Sequence, residues 1–143
     1  MPDLPIEFVS EEIEFTLSHA NEVTTWLNSI IEEHQFELEN LTYIFCSDEY
    51  LLEINQEYLD HDTLTDIITF NNADADGIIE SDIFISIDRV QENANTLNSS
   101  FTDELNRVMV HGVLHLLGYD DKSDELKEQM RAKEDYCLSL RNF

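Results

Sequence analysis

Two hydrophobic periodicities run along this chain and limit the folds that it can adopt. Short runs rich in branched and aromatic residues, typical of strands, lie mostly in its first 86 residues. They predict strands at Ile6–Val9, Ile13–Leu17, Leu41–Cys46, Asp66–Phe70 and Asp82–Ser86. Apolar residues three and four positions apart predict helices at Glu22–Phe36, from Ser47 or Asp48 to about Tyr58, at Asp88–Leu97, at Phe101–Leu117, and from Ser123 to about Leu140. The pattern favours an α+β fold, with a small mixed β-sheet packed against about five helices.

Length and composition indicate one cytoplasmic domain. The 143 residues are the size of a single domain, and three Gly and two Pro leave no flexible linker, so we predict one domain over residues 1–143. No run of about 18 apolar residues could cross a membrane, and the N-terminus lacks the pattern of a secretory signal. Cys46 and Cys137 show no spacing of a disulfide framework or a thiolate metal site. We expect them to be buried, reduced thiols.

The charge of the chain is strongly acidic and unevenly distributed. Against 32 acidic residues there are 7 basic ones, for a formal net charge of -25. Such a balance argues against a nucleic-acid partner, because phosphate binding normally depends on Lys and Arg. All seven basic residues, however, lie beyond position 88. A local contact with an anionic ligand therefore stays possible in the second part of the chain.

A pattern that can bind a metal lies at the end of the predicted Phe101–Leu117 helix. His111 and His115 are four positions apart, so both imidazoles can reach one ion. Gly118 can adopt a positive φ, end the helix and turn the chain back. The turn would supply a third ligand from Tyr119, Asp120 or Asp121. Three protein ligands leave a position open for water, which is the arrangement of catalytic metal sites.

Spacing alone leaves two other interpretations open. Two histidines can share a helix face merely because they pack or hydrogen-bond there. Zinc peptidases also carry two helical histidines four apart, but they place Glu directly after the first as the general base. Here Gly112 holds that position and can neither accept nor relay a proton. The pattern therefore argues against a peptidase, and it assigns no carboxylate to proton transfer, which typically contributes about 10²–10⁴-fold to a rate.

Three blocks of the sequence resemble the YbeY family, which comprises bacterial metal-dependent endoribonucleases that act in ribosomal RNA maturation. His111–Asp120 is similar to the family signature His-Gly-x-Leu-His-Leu-x-Gly-Tyr-Asp-His. The other two blocks, in matching order and spacing, are Ile54–Asn55 with Tyr58, Asp62 and Thr65–Phe70, and then Asp82–Ser86. The resemblance covers essentially the whole chain, and it makes an accidental pair of histidines a poor explanation of the site.

The resemblance implies a zinc-dependent, single-strand-specific endoribonuclease that acts in 3′-end maturation of small-subunit (16S) ribosomal RNA and in ribosome quality control. It implies one Zn²⁺ per chain, on His111, His115 and a third ligand. The expected partners are single-stranded ribosomal RNA and the ribosome or its proteins, in the cytoplasm. The acidic surface favours an alternative: a metal-stabilised, ribosome-associated factor that binds RNA or protein with little catalytic activity. Thr65 and Asp66 either brace the strand that they precede or act in catalysis.

Two positions depart from the family pattern. The third metal ligand of the family is His, and Asp121 stands there in this chain. Carboxylate oxygen is also a zinc ligand, so we predict Asp121 as the third ligand and Asp120 as its substitute. Leu59 stands where the family typically has an Arg for substrate binding or catalysis, and leucine cannot contact phosphate. Arg89 and Arg107 are the candidates to fill that role.

Overall fold

The computed structural model describes residues 4–59 and 65–143, which form a mixed β-sheet with helices on both faces. The elements in this part of the chain are β1 (Ile6–Ser10), α1 (Ala20–Glu33), β2 (Glu37–Cys46), α2 (Asp48–Leu59), β3 (Ile67–Asn71), β4 (Ile78–Ser86), α3 (Ile87–Leu97), α4 (Phe101–Leu116) and α5 (Asp124–Ser139). The predicted α+β architecture, with a small mixed sheet and five helices, is confirmed. None of the helices in the described ranges is long and apolar enough to cross a membrane.

The sheet places its one antiparallel strand at an edge. Its order is β1-β2-β4-β3, in which β1, β2 and β4 run parallel and β3 runs antiparallel to β4. Parallel neighbours need a crossover connection, and α1 supplies it between β1 and β2. The chain from β2 to β4 passes through α2 and through β3 itself. Because β3 ends the strand order, β4 is its sheet partner within the described residues. One face of β3 lies against α4.

Side chains on the two faces of the sheet enter two separate cores. On β4, Ile79, Ile83 and Ile85 are buried in the main core, which the sheet shares with α1, α4 and α5. Phe84 points to the other face and packs against a smaller cluster beneath α2. The apolar spacing that predicted α1 corresponds to a buried face, whose residues are Val23, Trp26, Leu27, Ile30 and Ile31. The metal-binding pattern lies on the side of the main core, because α4 packs there.

Gly112 allows α4 to lie unusually close to the sheet. A Cβ atom at this position would be 3.0 Å from Cδ1 of Ile67 on β3 and 3.0 Å from Cδ1 of Ile83 on β4. Ordinary carbon contacts are longer, at about 3.5–4.0 Å. A glycine in a helix interior costs about 1 kcal/mol relative to alanine, so this one has a packing reason. The close approach brings His111 and its neighbours to the edge of the sheet at β3.

The strand predicted at Ile13–Leu17 is wrong. The segment has no strand structure, although Ile13, Phe15 and Leu17 pack against the main core as their alternation suggested. The Oγ of Ser10 donates to the backbone oxygen of Phe15 at 2.7 Å, a local contact in place of a strand ladder. Two other strands begin four residues earlier than predicted, because pairing with neighbouring strands extends β2 back to Glu37 and β4 back to Ile78. Helix α1 begins two residues early and ends three early, since Gln35 takes a positive φ of 62°.

Both cysteines are buried and unpaired, as predicted. Burial raises the pKa of the Cys137 thiol to about 11 and that of Cys46 to about 12. Thiolates are the form that binds metals and attacks electrophiles. Neither cysteine is therefore a candidate for the chemistry of the site.

Candidate metal centre

Helix α4 presents two histidines at its C-terminal end. The helix begins at a side-chain cap, in which the Ser100 Oγ accepts a hydrogen bond from the backbone N–H of Asp103 at 3.1 Å. Its last turns carry His111 and His115, whose ring centroids are 4.6 Å apart. Their side chains are 21% and 33% exposed, so both rings are partly covered by protein and partly open to solvent. A small ligand can reach them from one side.

The turn after α4 brings a carboxylate to the histidines. Gly118 takes a φ of 109°, a conformation that side chains disfavour, and the N–H of Tyr119 donates back to the oxygen of Leu114 at 3.0 Å. The reversed chain places one oxygen of Asp121 near the Nε2 atoms of both rings. Its Oδ2 is 3.5 Å from the Nε2 of His111 and 3.6 Å from the Nε2 of His115.

The three candidates for a third ligand have different contacts. The hydroxyl of Tyr119 lies 3.0 Å from the Nε2 of His34, at the end of α1. Asp120 accepts the backbone N–H of the next residue at 2.7 Å, so its carboxylate shapes the turn. Asp121 alone of the three joins the histidines in a cluster whose ligand atoms all lie within 4.8 Å of one another.

The donor set and its spacing fit a small divalent ion. Two ligands of one tetrahedral zinc at ordinary bond lengths lie about 3.3–3.5 Å apart. The distances from the Asp121 oxygen to the two histidine nitrogens are 3.5 and 3.6 Å, so these atoms need to move little to bind one ion. Imidazole nitrogen and carboxylate oxygen are both common zinc ligands. The cluster could therefore hold a metal ion.

A buried carboxylate on α5 lies behind His111. The Oε2 of Glu134 is 2.6 Å from the Nδ1 of His111, and the Glu134 side chain is only 6% exposed. Burial by itself lowers the pKa of His111, but the hydrogen bond and the negative charge of Glu134 outweigh it, with help from Asp121, and the net shift is upward. Because Nδ1–H donates to Glu134, the Nε2 lone pair is directed toward the cluster. Carboxylates commonly orient metal-binding histidines in this way.

Arg107 holds Glu134 in place. Its Nη1 donates to the Oε1 of Glu134 at 3.1 Å and its Nη2 to the Oδ1 of Asp135 at 2.8 Å. Arg107 thus contacts Glu134, which in turn contacts the Nδ1 of His111. Arg89 makes a different ion pair, in which its Nη2 donates to the Oδ2 of Asp48 at 2.9 Å. The structure thus places both arginines in ion pairs with carboxylates.

The cluster opens into a cleft of about 620 Å³. Its described lining consists of Asn55, Thr65, Asp66, Ile67, Ile68, Thr69, Asn71, His111, His115, Leu116 and Asp121. Edge strand β3 forms one wall and the end of α4 the other. Among the residues that the structure describes, no Lys or Arg lines the cleft. The polar groups of the described lining are hydroxyls, amides, imidazoles and carboxylates, and none of these groups carries a fixed positive charge.

Comparison with known proteins identifies the family. The family model described as Endoribonuclease YbeY matches residues 5–141. The chain belongs to this family. It is 53% identical, over the full length of both chains, to a protein named endoribonuclease YbeY from Cytophaga hutchinsonii. A Flavobacterium johnsoniae protein of the same name is 50% identical, over 90% of this chain and 92% of its own. A solution structure of a Thermotoga maritima protein aligns with a TM-score of 0.64 and 25% identity, over 94% of this chain and 87% of that one.

Membership of the YbeY family confirms the resemblance predicted from the three sequence blocks. The second block is only partly described: the prediction on Asp62 lies outside the described residues, as does the side chain of Leu59. The Oγ1 of Thr65 donates to the backbone oxygen of Ile67 at 3.4 Å, a local contact at the start of β3. The neighbouring Asp66 lines the cleft.

Sequence reasoning missed Glu134, although a signal was present. The buried residues of α5 are Met130, Glu134 and Cys137, which follow helical spacing. A carboxylate in an apolar stripe needs a partner, because burying an unpaired charge is costly. The pattern could therefore have singled out Glu134. Its partner, 23 positions earlier in the chain, could not be read from the sequence.

Proposed function

We propose that this member of an endoribonuclease family is a zinc-dependent enzyme that cuts single-stranded RNA. One observation carries the proposal: the Oδ2 of Asp121 faces the Nε2 atoms of both His111 and His115 at the wall of an open cleft. Three ligands beside a cleft leave a coordination position for water or substrate, as catalytic sites require. The proposed ligands are those three residues, with one Zn²⁺ per chain.

In this proposal, residues of the chain bind the metal ion and orient the side chains that hold it. His111, His115 and Asp121 would hold the zinc ion, which would supply Lewis acidity and acidify water at the wall of the cleft. Glu134 keeps the proton of His111 on Nδ1, and Arg107 holds Glu134 in position. Asp121, where the family has His, reduces the net positive charge of the site. We therefore expect a site that acidifies water less strongly and accepts manganese more readily than three imidazoles would.

The cleft suits a single strand of RNA. It is open along β3, and Thr69 and Asn71 offer neutral hydrogen-bonding groups that can contact exposed bases. Single strands expose the Watson–Crick edges of their bases, whereas an A-form duplex uses those edges in base pairs. We extend the proposal to 3′-end maturation of 16S ribosomal RNA and to ribosome quality control in the cytoplasm. The ribosome or its proteins are the proposed partners, and residues 1–143 act as one metallo-hydrolase domain.

One observation favours a second candidate function. Within the described residues the cleft has no lysine or arginine, and the chain carries a net charge of -25. Nucleic-acid affinity usually depends on such cations. A metal-stabilised, ribosome-associated factor with little catalytic activity would have the same features. Cleavage by the purified protein separates the two functions.

The test compares single-stranded RNA cleavage by the wild-type protein, by His115→Ala and by His19→Ala, each freed of contaminating nuclease. His19 is an exposed histidine outside the cluster and serves as the matched control. We expect His115→Ala to lose bound zinc and cleavage, while His19→Ala keeps both. If wild type and His115→Ala cut equally, the nuclease is a contaminant and the proposal fails. If wild type binds zinc but does not cut, the second candidate holds.

A further inference from the structure

One carboxylate in the cleft stands outside the metal cluster and has no assigned role. Within the described part of the chain, Asp66 is the one titratable side chain of the cleft lining besides His111, His115 and Asp121. Gly112 excludes the base used by zinc peptidases. We propose that Asp66 is the general base of the reaction, an inference that rests on the proposed nuclease function.

The backbone holds Asp66 firmly at the wall of the cleft. It directly precedes β3, and its oxygen accepts the N–H of Ser86, at the end of β4, at 3.0 Å. Its Oδ2 receives one long hydrogen bond, at 3.5 Å, from the Nδ2 of Asn93 on α3. No arginine or lysine within the described residues pairs with this carboxylate. A positioned acceptor with a weak partner can take up a proton from a reacting group.

In the metal-free protein, the surroundings of Asp66 raise the pKa of its carboxyl group. Burial raises its pKa, and the negative charge of Glu134 on α5 raises it further. The charges of His111 on α4 and Arg89 on α3 oppose the shift, as does the N–H of its own backbone, and the net direction is upward. Glu104, also on α4, adds a negative group that interacts with Asp66. A general base works best when its pKa approaches the operating pH.

The proposed step balances with water as the co-reactant. The oxygen of water forms a bond to the phosphorus of the RNA phosphodiester, and its proton passes to a carboxylate oxygen of Asp66. The bond from phosphorus to the leaving sugar oxygen breaks, and that oxygen takes a proton from solvent in the open cleft. Asp66 then releases its proton to solvent. No atom changes its oxidation state in this step.

The experiment compares zinc-loaded wild type, Asp66→Asn and a matched control, Asp82→Asn. Asp82 lies on the adjacent strand β4 and also accepts one long amide hydrogen bond, from Asn72 at 3.4 Å, but it does not line the cleft. We measure kcat and KM on single-stranded RNA, zinc content and thermal stability. Asp66→Asn should lower kcat by about 10²–10⁴-fold, with little change in KM or zinc content. Asp82→Asn should keep the wild-type kcat.

Each other result overturns a distinct statement. If Asp66→Asn keeps its kcat within threefold of wild type, the assignment of Asp66 as general base is refuted. The proposed nuclease function is not affected by that result. Loss of zinc in Asp66→Asn also refutes the assignment, because Asp66 would then serve metal binding. If Asp66→Asn does not fold, we measure Asp66→Glu in its place. The role of Asp66 as general base is then refuted if the kcat of Asp66→Glu falls only in proportion to its loss of zinc. A wild-type protein that cuts no faster than His115→Ala removes the proposed function and this inference together.

Discussion

Replacing Glu134 by Gln should weaken zinc binding without removing any of the proposed ligands. The bond between Glu134 and His111 Nδ1 is short, at 2.6 Å, and the carboxylate is almost fully covered. A hydrogen bond to a charged group contributes about 1.5–3 kcal/mol, and a neutral one about 0.5–1.5. Glutamine can still accept from Nδ1, so the loss is the difference, about 1–2 kcal/mol. That corresponds to a dissociation constant about 5- to 30-fold higher, which overlaps the range of about 10- to 100-fold typical of such supporting residues.

The effect has a defined pH dependence. Glu134 raises the pKa of His111, and a proton on its Nε2 must leave before zinc can bind. The affinity ratio between wild type and Glu134→Gln is therefore largest above the raised pKa and shrinks as the pH falls through it. In the metal-free protein, a raised native pKa stabilises the fold fully below the ordinary value of 6.5. That contribution is lost as the pH rises through the raised value.

The assay is competition for zinc with a chromophoric chelator at pH 6, 7 and 8, together with urea unfolding of the metal-free proteins. Asp135→Asn is the matched control, because Asp135 also pairs with Arg107 but is exposed and does not touch His111. It should change the zinc affinity by less than twofold. The reasoning is refuted if Glu134→Gln binds zinc as tightly as wild type at pH 8, or if Asp135→Asn weakens binding equally.

Two further substitutions test the proposed ligand and the packing beneath it. Asp121→Ala should lose most of its bound zinc while Asp120→Ala retains it, measured by metal analysis after gel filtration; equal zinc content in Asp121→Ala and wild type would show that Asp121 is not a ligand. Gly112→Ala should destabilise the protein by about 1 kcal/mol, because overpacking costs about 1–3 kcal/mol and the better helix propensity of alanine returns about 1. Thermal unfolding should then shift downward by about 2–4 °C, and a rise in the midpoint would contradict the contacts with Ile67 and Ile83.

Local patterns predicted the elements and two of the candidate ligands. The apolar spacing on α1 and α4 predicted buried faces that the structure contains, because helical periodicity depends only on nearby residues. The spacing of His111 and His115 put both rings on one helix face for the same reason. The Ile13–Leu17 segment shows the limit of such reasoning. Its alternation marked buried side chains correctly, but a strand also needs a backbone partner, which local sequence does not specify.

The sequence by itself determined the α+β elements, the pair of histidines and the glycine turn that follows them. The resemblance to the family pattern singled out Asp121, but spacing alone left Tyr119, Asp120 and Asp121 open, and the tertiary structure shows the different contacts of these three adjacent residues. The tertiary structure also decided that Glu134 supports His111 and that Asp66 lines the same cleft as His111. These residues lie on α5, on α4 and before β3, and their proximity comes from the packing of helices on the sheet. Such long-range contacts have no periodic signal in the sequence, whereas the spacing along one helix does.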